Sequence, residues 1–313
     1  MFHFRIGDFS VVRVEELIGP ASIAGDFFQK FDASVFEEEP SLATERFFQR
    51  DTGRLVSSIH SWVLRDGKHV VVIDTGVGNG KDRPDPRFKG RFHRLKTPYL
   101  EHLRAAGVEP ECVTHVINTH LHSDHVGWNT MEVDGRWVPT FPNARYIMGA
   151  SELAHFTSPK TLSRPGDVAR WVADSVTPVL LAGLVDTVGA GDTVLPGITV
   201  EPAYGHTPGQ LAVRVRSNGE SGIFTGDAMH QPMQVLHPDW ACPYCEDKPE
   251  AERTRRRILA EAADTGTTVF PAHFGAPHAF RILRKGDGFT FACAPAASMA
   301  TTLRADEAAV PAK

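Results

Sequence analysis

Four metal-binding side chains lie within six residues of one another in the segment THLHSDHVG, residues 119–127. They are His120, His122, Asp124 and His125. The segment follows residues 112–118, whose apolar and β-branched content predicts a buried strand. Imidazoles at positions i and i+2 of an extended chain point to the same side, so the first two histidines can bind one ion. The other two ligands follow where the chain bends, and they face a neighbouring position that a second ion could occupy.

Three later residues share one local context, in which an apolar strand and a turn precede a metal-binding side chain: His206, Asp227 and His273. The first would give a three-nitrogen site with the His120–His122 pair, and the last would join Asp124 and His125. Asp227 is the one candidate ligand not yet assigned to either ion, and a carboxylate can bridge two cations through its two oxygens. This ligand count leaves coordination positions open, which is typical of catalytic rather than structural zinc sites. The chemistry predicted is hydrolysis by a hydroxide that bridges two metal ions.

The elements that must position these ligands alternate along the chain. Strands are predicted within 4–14 (with a turn at residues 7–8), 56–64, 68–73, 112–118, 137–148, 194–204, 211–215, 222–225, 267–270 and 289–293. Helices are predicted at 97–106, from residue 149 and at 250–263, with an apolar periodic stretch at 168–185. Metal-type residues follow strands in both halves, which predicts two sheets packed face to face with helices outside.

The composition along the chain also predicts the domain boundaries. We expect one catalytic domain over residues 1–293, with an N-terminal arm at 1–55, and a poorly ordered Ala- and Pro-rich tail at 294–313. The charged segment 81–96 contains two prolines and is predicted to be a surface loop that lies over a cleft.

Net charge and cysteine content restrict the partners of the protein. The 313 residues carry a formal charge of −5, which gives no basic surface for nucleic acid. No apolar run approaches the length that spans a membrane, and acidic and basic residues interrupt the first 16 positions. Four cysteines without an export signal are typical of a reducing cytoplasm. The partner expected is a small-molecule substrate, and the sequence leaves a homodimer open.

The seven candidate ligands, in this order and spacing, resemble the metallo-β-lactamase-fold hydrolase superfamily over roughly residues 56–275. Its H-x-H-x-D-H motif matches residues 120–125, its later histidine lies in Gly-His-Thr-Pro-Gly, and its bridging aspartate lies in Thr-Gly-Asp. The resemblance implies an α+β fold, a four-layer αββα sandwich with a dimetal site at one edge of the two sheets. It also implies two Zn²⁺ ions per chain, with other divalent metals as substitutes.

Departures from the superfamily pattern narrow the branch. Members similar to class B β-lactamases mostly carry Cys at the position of Asp227, which disfavours antibiotic hydrolysis. The N-terminal arm and the segment GDAMH at 226–230 resemble the lactonase and methyl-parathion-hydrolase branch. Quorum-quenching lactonases usually carry Tyr three residues after the bridging aspartate, whereas this chain has His230, as in organophosphate-hydrolase-like members.

The function predicted is hydrolysis of a lactone or carboxylic ester. In this mechanism Asp227 holds the two ions and either Asp124 or His230 transfers protons. Organophosphate triester hydrolysis, glyoxalase-II-like thioester hydrolysis and a mononuclear-iron persulfide dioxygenase stay open as alternatives.

Several apolar and aromatic side chains are candidates for a substrate pocket. The N-terminal arm contains six phenylalanines, which either pack the arm on the body or wall a pocket near the metals: Phe27, Phe28, Phe31, Phe36, Phe47 and Phe48. Trp128 or Trp240 could supply a further apolar wall. His278, five residues after His273, is a candidate substrate contact.

Other residues are expected to have structural roles. Asp74 is predicted to order its glycine-containing turn through side-chain hydrogen bonds. The lone C-x-x-C of Cys242 and Cys245 has no second pair, so we expect a packed loop near the rim of the site rather than a zinc ribbon. His115 and His155 lack a ligand-like context and are expected to be structural.

Overall fold

The structure is a computed structural model that describes residues 2–88 and 90–296. Its strands are β1 (His3–Ile6), β2 (Phe9–Ile23), β3 (Phe48–Gln49), β4 (Arg54–Arg65), β5 (Val70–Ile73), β6 (His115–Ile117), β7 (Thr130–Val133), β8 (Arg136–Pro139), β9 (Arg145–Gly149), β10 (Val185–Val188), β11 (Thr193–Leu195), β12 (Ile198–Pro202), β13 (Leu211–Ser217), β14 (Glu220–Phe224), β15 (Thr268–Phe270), β16 (Phe280–Lys285) and β17 (Gly288–Cys293). Its α-helices are α1 (Ala24–Phe27), α2 (Val35–Glu38), α3 (Tyr99–Ala105), α4 (Ala150–Thr157), α5 (Pro159–Leu162), α6 (Val168–Trp171), α7 (Thr177–Leu181), α8 (Met233–Leu236) and α9 (Lys248–Thr265). A π-helical turn (Val172–Val176) joins α6 to α7.

The strands form two large sheets. The first has the order β1-β2-β4-β5-β6-β9-β10, with β3 paired to β4, and the second runs β11 to β17 in sequence order. The strands β5, β6, β9 and β10 are parallel neighbours, and β14 and β15 are also parallel. The remaining neighbours are antiparallel, and β7 pairs with β8 as a separate hairpin.

Alternating side chains on the strands bury both faces of each sheet. On β4, Trp62 packs between the sheets against Phe224 and Phe270 of the second sheet, whereas its neighbour Val63 packs with α3 on the outer face. The outer face of the second sheet is covered by α9, whose Ile258 belongs to the core of that side. Because a sheet covered on both faces needs apolar residues at consecutive positions, these strands lack a polar face. The predicted αββα sandwich is confirmed.

The N-terminal segment is integral to this sandwich. The strand predicted at 4–14 is two strands, with the expected turn at residues 7–8, and β2 continues to Ile23 along β4. Glu16 lies within β2 and is buried among hydrogen-bond donors: it accepts from the backbone N–H of Val77 and Gly78 and from the Trp128 indole. Residues 24–50 pack over the second sheet, where Phe28, Phe47 and Phe48 are buried.

The charged segment 81–96 is not simply a surface loop. Lys81 and Arg83 are fully buried beside Asp174 of the π-helical turn: Arg83 donates to both carboxylate oxygens of Asp174, and Lys81 Nζ donates to its backbone carbonyl at 3.0 Å and lies 3.5 Å from its Oδ1. The predicted lining of a cleft is nevertheless found, since Phe88 and Phe92 line the cavity described below.

Some observed boundaries of helices and strands differ from the predicted ones, because the hydrophobic pattern does not show where the chain turns within an apolar stretch. The stretch 168–185 is a helix over 168–181 interrupted by the π-helical turn, and β10 follows it. Residues 194–204 form two strands because Gly197, at φ +81°, turns the chain between β11 and β12. The predicted disordered tail begins with Ala294, which is buried and donates its N–H to the Ala279 carbonyl; residues 297–313 lie outside the described residues. Within the described ranges, no helix is long and apolar enough to cross a membrane.

Candidate metal centre

The ligand segment leaves the end of β6 and folds back against the loop after β5. Asn118 Nδ2 donates to the His125 carbonyl at 3.0 Å, which closes the turn. Gly127 lies so close to the neighbouring chain that a Cβ there would sit 1.8 Å from the Val77 carbonyl oxygen. Only glycine fits at this close approach. The sequence THLHSDHVG therefore fixes both the ligands and the backbone contact that orients them.

The first group of donor atoms gathers four predicted ligands. His122 Nδ1 lies 3.1 Å from His120 Nε2 and 2.8 Å from His206 Nε2. Asp227 Oδ2 lies 3.3 Å from His206 Nε2 and 3.7 Å from His120 Nε2. Zinc–nitrogen bonds of about 2.0–2.1 Å give tetrahedral edges of about 3.3 Å, so these spacings suit one cation.

The second group gathers the other predicted ligands around the second oxygen of the same carboxylate. Asp227 Oδ1 lies 2.9 Å from His273 Nε2 and 3.2 Å from His125 Nε2. Asp124 Oδ2 lies 3.7 and 3.9 Å from the same two nitrogens. The structure thus brings all seven sequence-predicted candidates together at the strand ends of both sheets. The two oxygens of Asp227 face different groups, each of which could hold a metal ion.

The hydrogen bonding of two atoms in this cluster shows whether a cation fits there. Asp227 Oδ1 and His125 Nε2 are buried, and although they lie 3.2 Å apart, neither forms a hydrogen bond of acceptable geometry with any described residue. A buried polar atom without a partner is costly, and a buried carboxylate is more so unless a cation is near. The donor set is nitrogen and carboxylate oxygen, which suits zinc and related divalent metals. The residues therefore fit a pair of divalent ions.

The charges of the cluster lead to the same result. Burial lowers the pKa of His120 and of His122 well below the ordinary value. Burial would also lower the pKa of His125, but the carboxylates of Asp227 and Asp74 outweigh it and raise that pKa well above the ordinary value. Asp227 and its imidazole neighbours thus compete for protons, and since metal ligands must be deprotonated, metal binding here releases protons.

Asp74 has a different role from the one predicted. Its side chain bonds to the ligand segment rather than to its own turn: Oδ1 accepts from the Thr119 N–H at 2.8 Å, and Oδ2 accepts from Thr119 Oγ1 at 2.8 Å and from His125 Nδ1 at 2.9 Å. Asp74 adopts φ +53°, a conformation that aspartate tolerates. A carboxylate on the far nitrogen of a ligand histidine fixes its tautomer and ring orientation.

Glu152 is a positioning residue that sequence reasoning missed. This buried carboxylate at the start of α4 accepts from the Leu121 N–H at 3.0 Å and from Thr207 Oγ1 and the Gly209 N–H at 2.9 Å each. Burial raises its pKa to about 7. Glu152 therefore ties the loop of His120 and His122 to the loop of His206. The only trace of this role in the sequence is an acidic residue in the first turn of a helix.

His230 lies beside the bridging carboxylate. Its Nε2 is 3.2 Å from Asp227 Oδ2, its ring stacks on His273 with centroids 5.7 Å apart, and its Nδ1 has no hydrogen-bond partner among the described residues. Burial lowers its pKa. The side chain lines the cavity, so it is placed both to orient Asp227 and to meet a substrate.

The two loop cysteines pack against this same region. Cys245 Sγ lies 3.6 Å from His206 Nδ1, and Cys242 Sγ lies 3.5 Å from His230 Nε2. Both thiols are buried, as expected for a packed loop, but they touch a candidate ligand, which the sequence did not indicate. His155 pairs instead with Glu246, and His115 contacts Thr114; neither joins the metal groups.

The metal groups open into a cavity of about 450 Å³ with apolar walls. Its aromatic lining is Phe27, Phe88, Phe92, Phe156, Trp171 and Tyr244, and Asp124, Asp227 and His273 lie on the same surface. Phe27 therefore serves as the predicted wall, whereas Phe31 and Phe36 pack on the core of the second sheet.

Three predicted pocket residues are elsewhere. Trp128 is buried, stacks on Tyr99 and donates to Glu16. Trp240 is buried among Phe28 and Phe31. His278 is buried with Nδ1 2.8 Å from the Phe274 carbonyl. These predictions were wrong because proximity in sequence to a ligand does not determine which side of the chain a side chain occupies.

Solved structures of other proteins share this fold. The hydrolase AbOPH of the beta lactamase superfamily superposes with a TM-score of 0.77 at 23% identity, covering 94% of this chain and 97% of that one. The dizinc quorum-quenching lactonase AidC gives 0.75 at 18% identity, with 94% and 97% covered. An N-acyl homoserine lactonase from Bacillus sp. is 24% identical over 180 residues, which span 54% of this chain and 63% of that relative's length.

A family model matches most of the folded chain. The match to the Metallo-beta-lactamase superfamily runs over residues 54–273, which includes both strand-end loops and all seven candidate ligands. These residues exceed half of the 313 in the chain. The chain therefore belongs to the metallo-beta-lactamase superfamily.

Proposed function

We propose that this protein is a dinuclear metal-dependent hydrolase that cleaves a lactone or a carboxylic ester, with zinc as the ion that best matches its donors. One observation carries the proposal: Asp227 offers each of its oxygens to a separate group of buried or half-buried donors, and these groups border a cavity with apolar walls. A structural site would be closed by its ligands, whereas these groups border open space. The similarity to lactonases supports the substrate class.

The residues divide between two positions. One ion would be held by His120, His122 and His206, and the other by Asp124, His125 and His273, with Asp227 common to both. Two such cations, when bound, supply Lewis acidity and make water nucleophilic near neutral pH. The protein supplies the fixed donor geometry and a cavity that limits water.

Two side chains beside the metal groups can handle protons. His230 lines the cavity with its Nε2 3.2 Å from Asp227 Oδ2, so the imidazole, once protonated, can give a proton to a departing alkoxide oxygen beside that carboxylate. Asp124 is only partly buried and also lines the cavity. Phe27 packs edge-on against His230 with ring centroids 5.6 Å apart, which holds the imidazole and excludes water on that side.

The cavity walls determine what part of a substrate they accept. Phe27, Phe88, Phe92 and Phe156 present apolar surface suited to an alkyl or aryl group next to the scissile bond. The same aromatic walls, together with His230, favour organophosphate triesters with an aryl leaving group as a second candidate substrate class.

Metal analysis and a substrate screen test this function. Protein loaded with Zn²⁺ and freed of excess metal should contain about two zinc ions per chain, and hydrolysis should appear in a panel of lactones, aryl esters and phosphotriesters. Asp227→Ala should lose both turnover and metal, because two cations held close together repel one another without a shared carboxylate. The exposed Asp51→Ala is the control. One iron per chain with oxygen consumption on a persulfide would contradict the hydrolase, as would full activity in Asp227→Ala.

A further inference from the structure

The loop after α8 brings two thiols to the back of the candidate metal centre. The N–H of Cys245 is directed at the Cys242 carbonyl at 3.4 Å, so the C-x-x-C segment forms a turn. This turn places the two sulfur atoms 3.4 Å apart. A disulfide has an S–S distance of about 2.05 Å, so an approach of about 1.4 Å would join them. Neighbouring positions on a turn allow that movement without displacing either sheet.

The surroundings of the sulfurs are rich in positive and hydrogen-donating groups. Arg255 of α9 is fully buried, and its guanidinium donates to the carbonyls of Pro238 and Ala228 and interacts electrostatically with both cysteines. It forms no ion pair with a carboxylate within the described part of the chain. This buried cation makes the surroundings of the two sulfurs electropositive, and cysteines in such surroundings are the ones that react with oxidants.

The two thiols differ in access. Cys245 lines the cavity, so a small oxidant that enters the substrate cavity reaches its sulfur. Cys242 is fully buried behind it, within 3.5 Å of His230 Nε2. One accessible thiol with a second thiol in contact is the arrangement of an attacking and a resolving cysteine. Cys112 and Cys293 are exposed and free, and neither is near the other three sulfurs by any contact of the described residues.

We propose that Cys242 and Cys245 are an oxidation site for hydrogen peroxide or a small alkyl hydroperoxide, and that their disulfide weakens the adjacent metal position. The Cys245 sulfur attacks the peroxide, the O–O bond breaks, and a sulfenic acid and water (or an alcohol) form. The Cys242 sulfur then attacks the sulfenic sulfur, an S–S bond forms, and the hydroxyl leaves as a second water with the thiol proton. Both sulfurs lose electrons to the two peroxide oxygens.

The consequence follows from what the thiols contact when reduced. His206 Nδ1 faces Cys245 Sγ, so the far nitrogen of this candidate ligand relies on the sulfur as its partner. Partners of this kind set the orientation of a ligand ring, and removing them typically costs about 10–100-fold in metal affinity or activity. Disulfide formation removes the thiol hydrogen and leaves a sulfur that is a poor hydrogen-bond acceptor, so His206 Nδ1 loses this partner although both sulfurs stay near it. This consequence rests on the proposed metal function, whereas the disulfide itself does not.

The experiment starts from a Cys112→Ser/Cys293→Ser background, which removes the exposed thiols and leaves the inner pair. Zinc-loaded protein is treated with hydrogen peroxide, and three quantities are followed: free thiols, the mass of the peptide that spans residues 242–245, and zinc lost to a chelating dye. We expect loss of both thiols, a mass lower by two hydrogen atoms, and faster release of zinc by at least tenfold, all reversed by dithiothreitol. A Cys242→Ala/Cys245→Ala variant in the same background should be insensitive to peroxide.

Three results would overturn the proposal. Both thiols could persist under peroxide that oxidises a free C-x-x-C peptide. A disulfide could form while zinc release stays unchanged, which would show that the pair does not act on the metal position. Reduced protein could instead bind a third metal ion that protects the thiols, which would make the sulfurs ligands rather than an oxidation site. Thiol and mass measurements do not require turnover, so failure of the hydrolase proposal would be seen separately.

Discussion

Asp74→Asn isolates the contribution of a single carboxylate behind the candidate metal centre. Asparagine keeps the size of the side chain and tolerates the left-handed conformation at φ +53°, so the backbone is preserved. The carboxylate accepts three hydrogen bonds, one at Oδ1 from the Thr119 N–H and two at Oδ2, of which one comes from His125 Nδ1. An amide has only one oxygen, so its NH₂ group must point at one of the two N–H donors, that of Thr119 or that of His125 Nδ1, where no hydrogen bond can form.

The expected magnitude follows from that mismatch. Whichever way the amide turns, one buried donor, the Thr119 N–H or the His125 Nδ1–H, loses its acceptor. Such a loss costs about 1–3 kcal/mol, which corresponds to about a fivefold to 150-fold change in an equilibrium constant. Because His125 belongs to the second donor group, we expect the weaker binding to fall on one of the two ions. The first group should be less affected, because Glu152 also holds its loops, although Thr119 Oγ1 lies 3.1 Å from His120 Nδ1.

Competition with a chromophoric chelator measures this directly, since the two ions then leave in separate steps. The matched control is Asp134→Asn, an exposed aspartate with φ +51° and the same backbone strain but no contact with the centre. If Asp74→Asn retained both ions with the affinity of the unaltered protein, or lost the two ions equally, the assigned role of Asp74 would be wrong.

Three further results are expected. His230→Ala should slow alkyl lactones about 10²–10⁴-fold and leave p-nitrophenyl esters nearly unchanged, because only the former need a proton on the leaving oxygen; a uniform loss with less bound metal would point to orientation of Asp227 instead. Strong chelators should abolish activity and lower the melting temperature, and an unchanged melting curve after verified metal removal would contradict this. Burial lowers the pKa of Lys81 to about 7, below its unfolded value of 10.5, so the unfolded chain binds the extra proton between these values and stability should rise with pH there. In urea unfolding at pH 7 to 9, the slope of the unfolding free energy against pH should be smaller in Lys81→Met than in the unaltered protein, by up to about 1.4 kcal/mol per pH unit. The exposed Lys68→Met should keep the slope of the unaltered protein.

The sequence was most informative where chemistry and local geometry coincide. His120 and His122 must lie on one side of an extended segment whatever the rest of the chain does, so their pairing could be predicted. The order of the strands predicted the sandwich. The position of Asp227 directly after a strand predicted that the metal site lies at one edge of the two sheets. The family assignment was confirmed on this basis, while the domain limits, the homodimer and the cytoplasmic location stay predictions.

Long-range partners could not be read in the same way. Glu152 contacts Leu121 and Gly209 only because two loops from different sheets meet, and no periodicity records that meeting. Lys81 is charged and next to prolines, which is typical of a surface loop, yet it is buried because Asp174, 93 residues away, supplies the compensating contacts. Burial of a charge depends on a partner, and partners distant in sequence are fixed by tertiary structure.

The distribution of the candidate ligands has a consequence for the life of the protein before it is active. The donors begin at His120 on one sheet and end at His273 on the other, so the first group is complete only after Asp227 has been made and the second only after His273. The complete pair of sites is therefore not available to guide early folding. The chain must reach its native structure with protons shared among Asp227 and its imidazole neighbours, and metal acquisition is then an exchange on an assembled protein. If the proposed metal function holds, the supply of divalent metal should therefore set how much of the assembled protein is loaded, and loading should add to its stability.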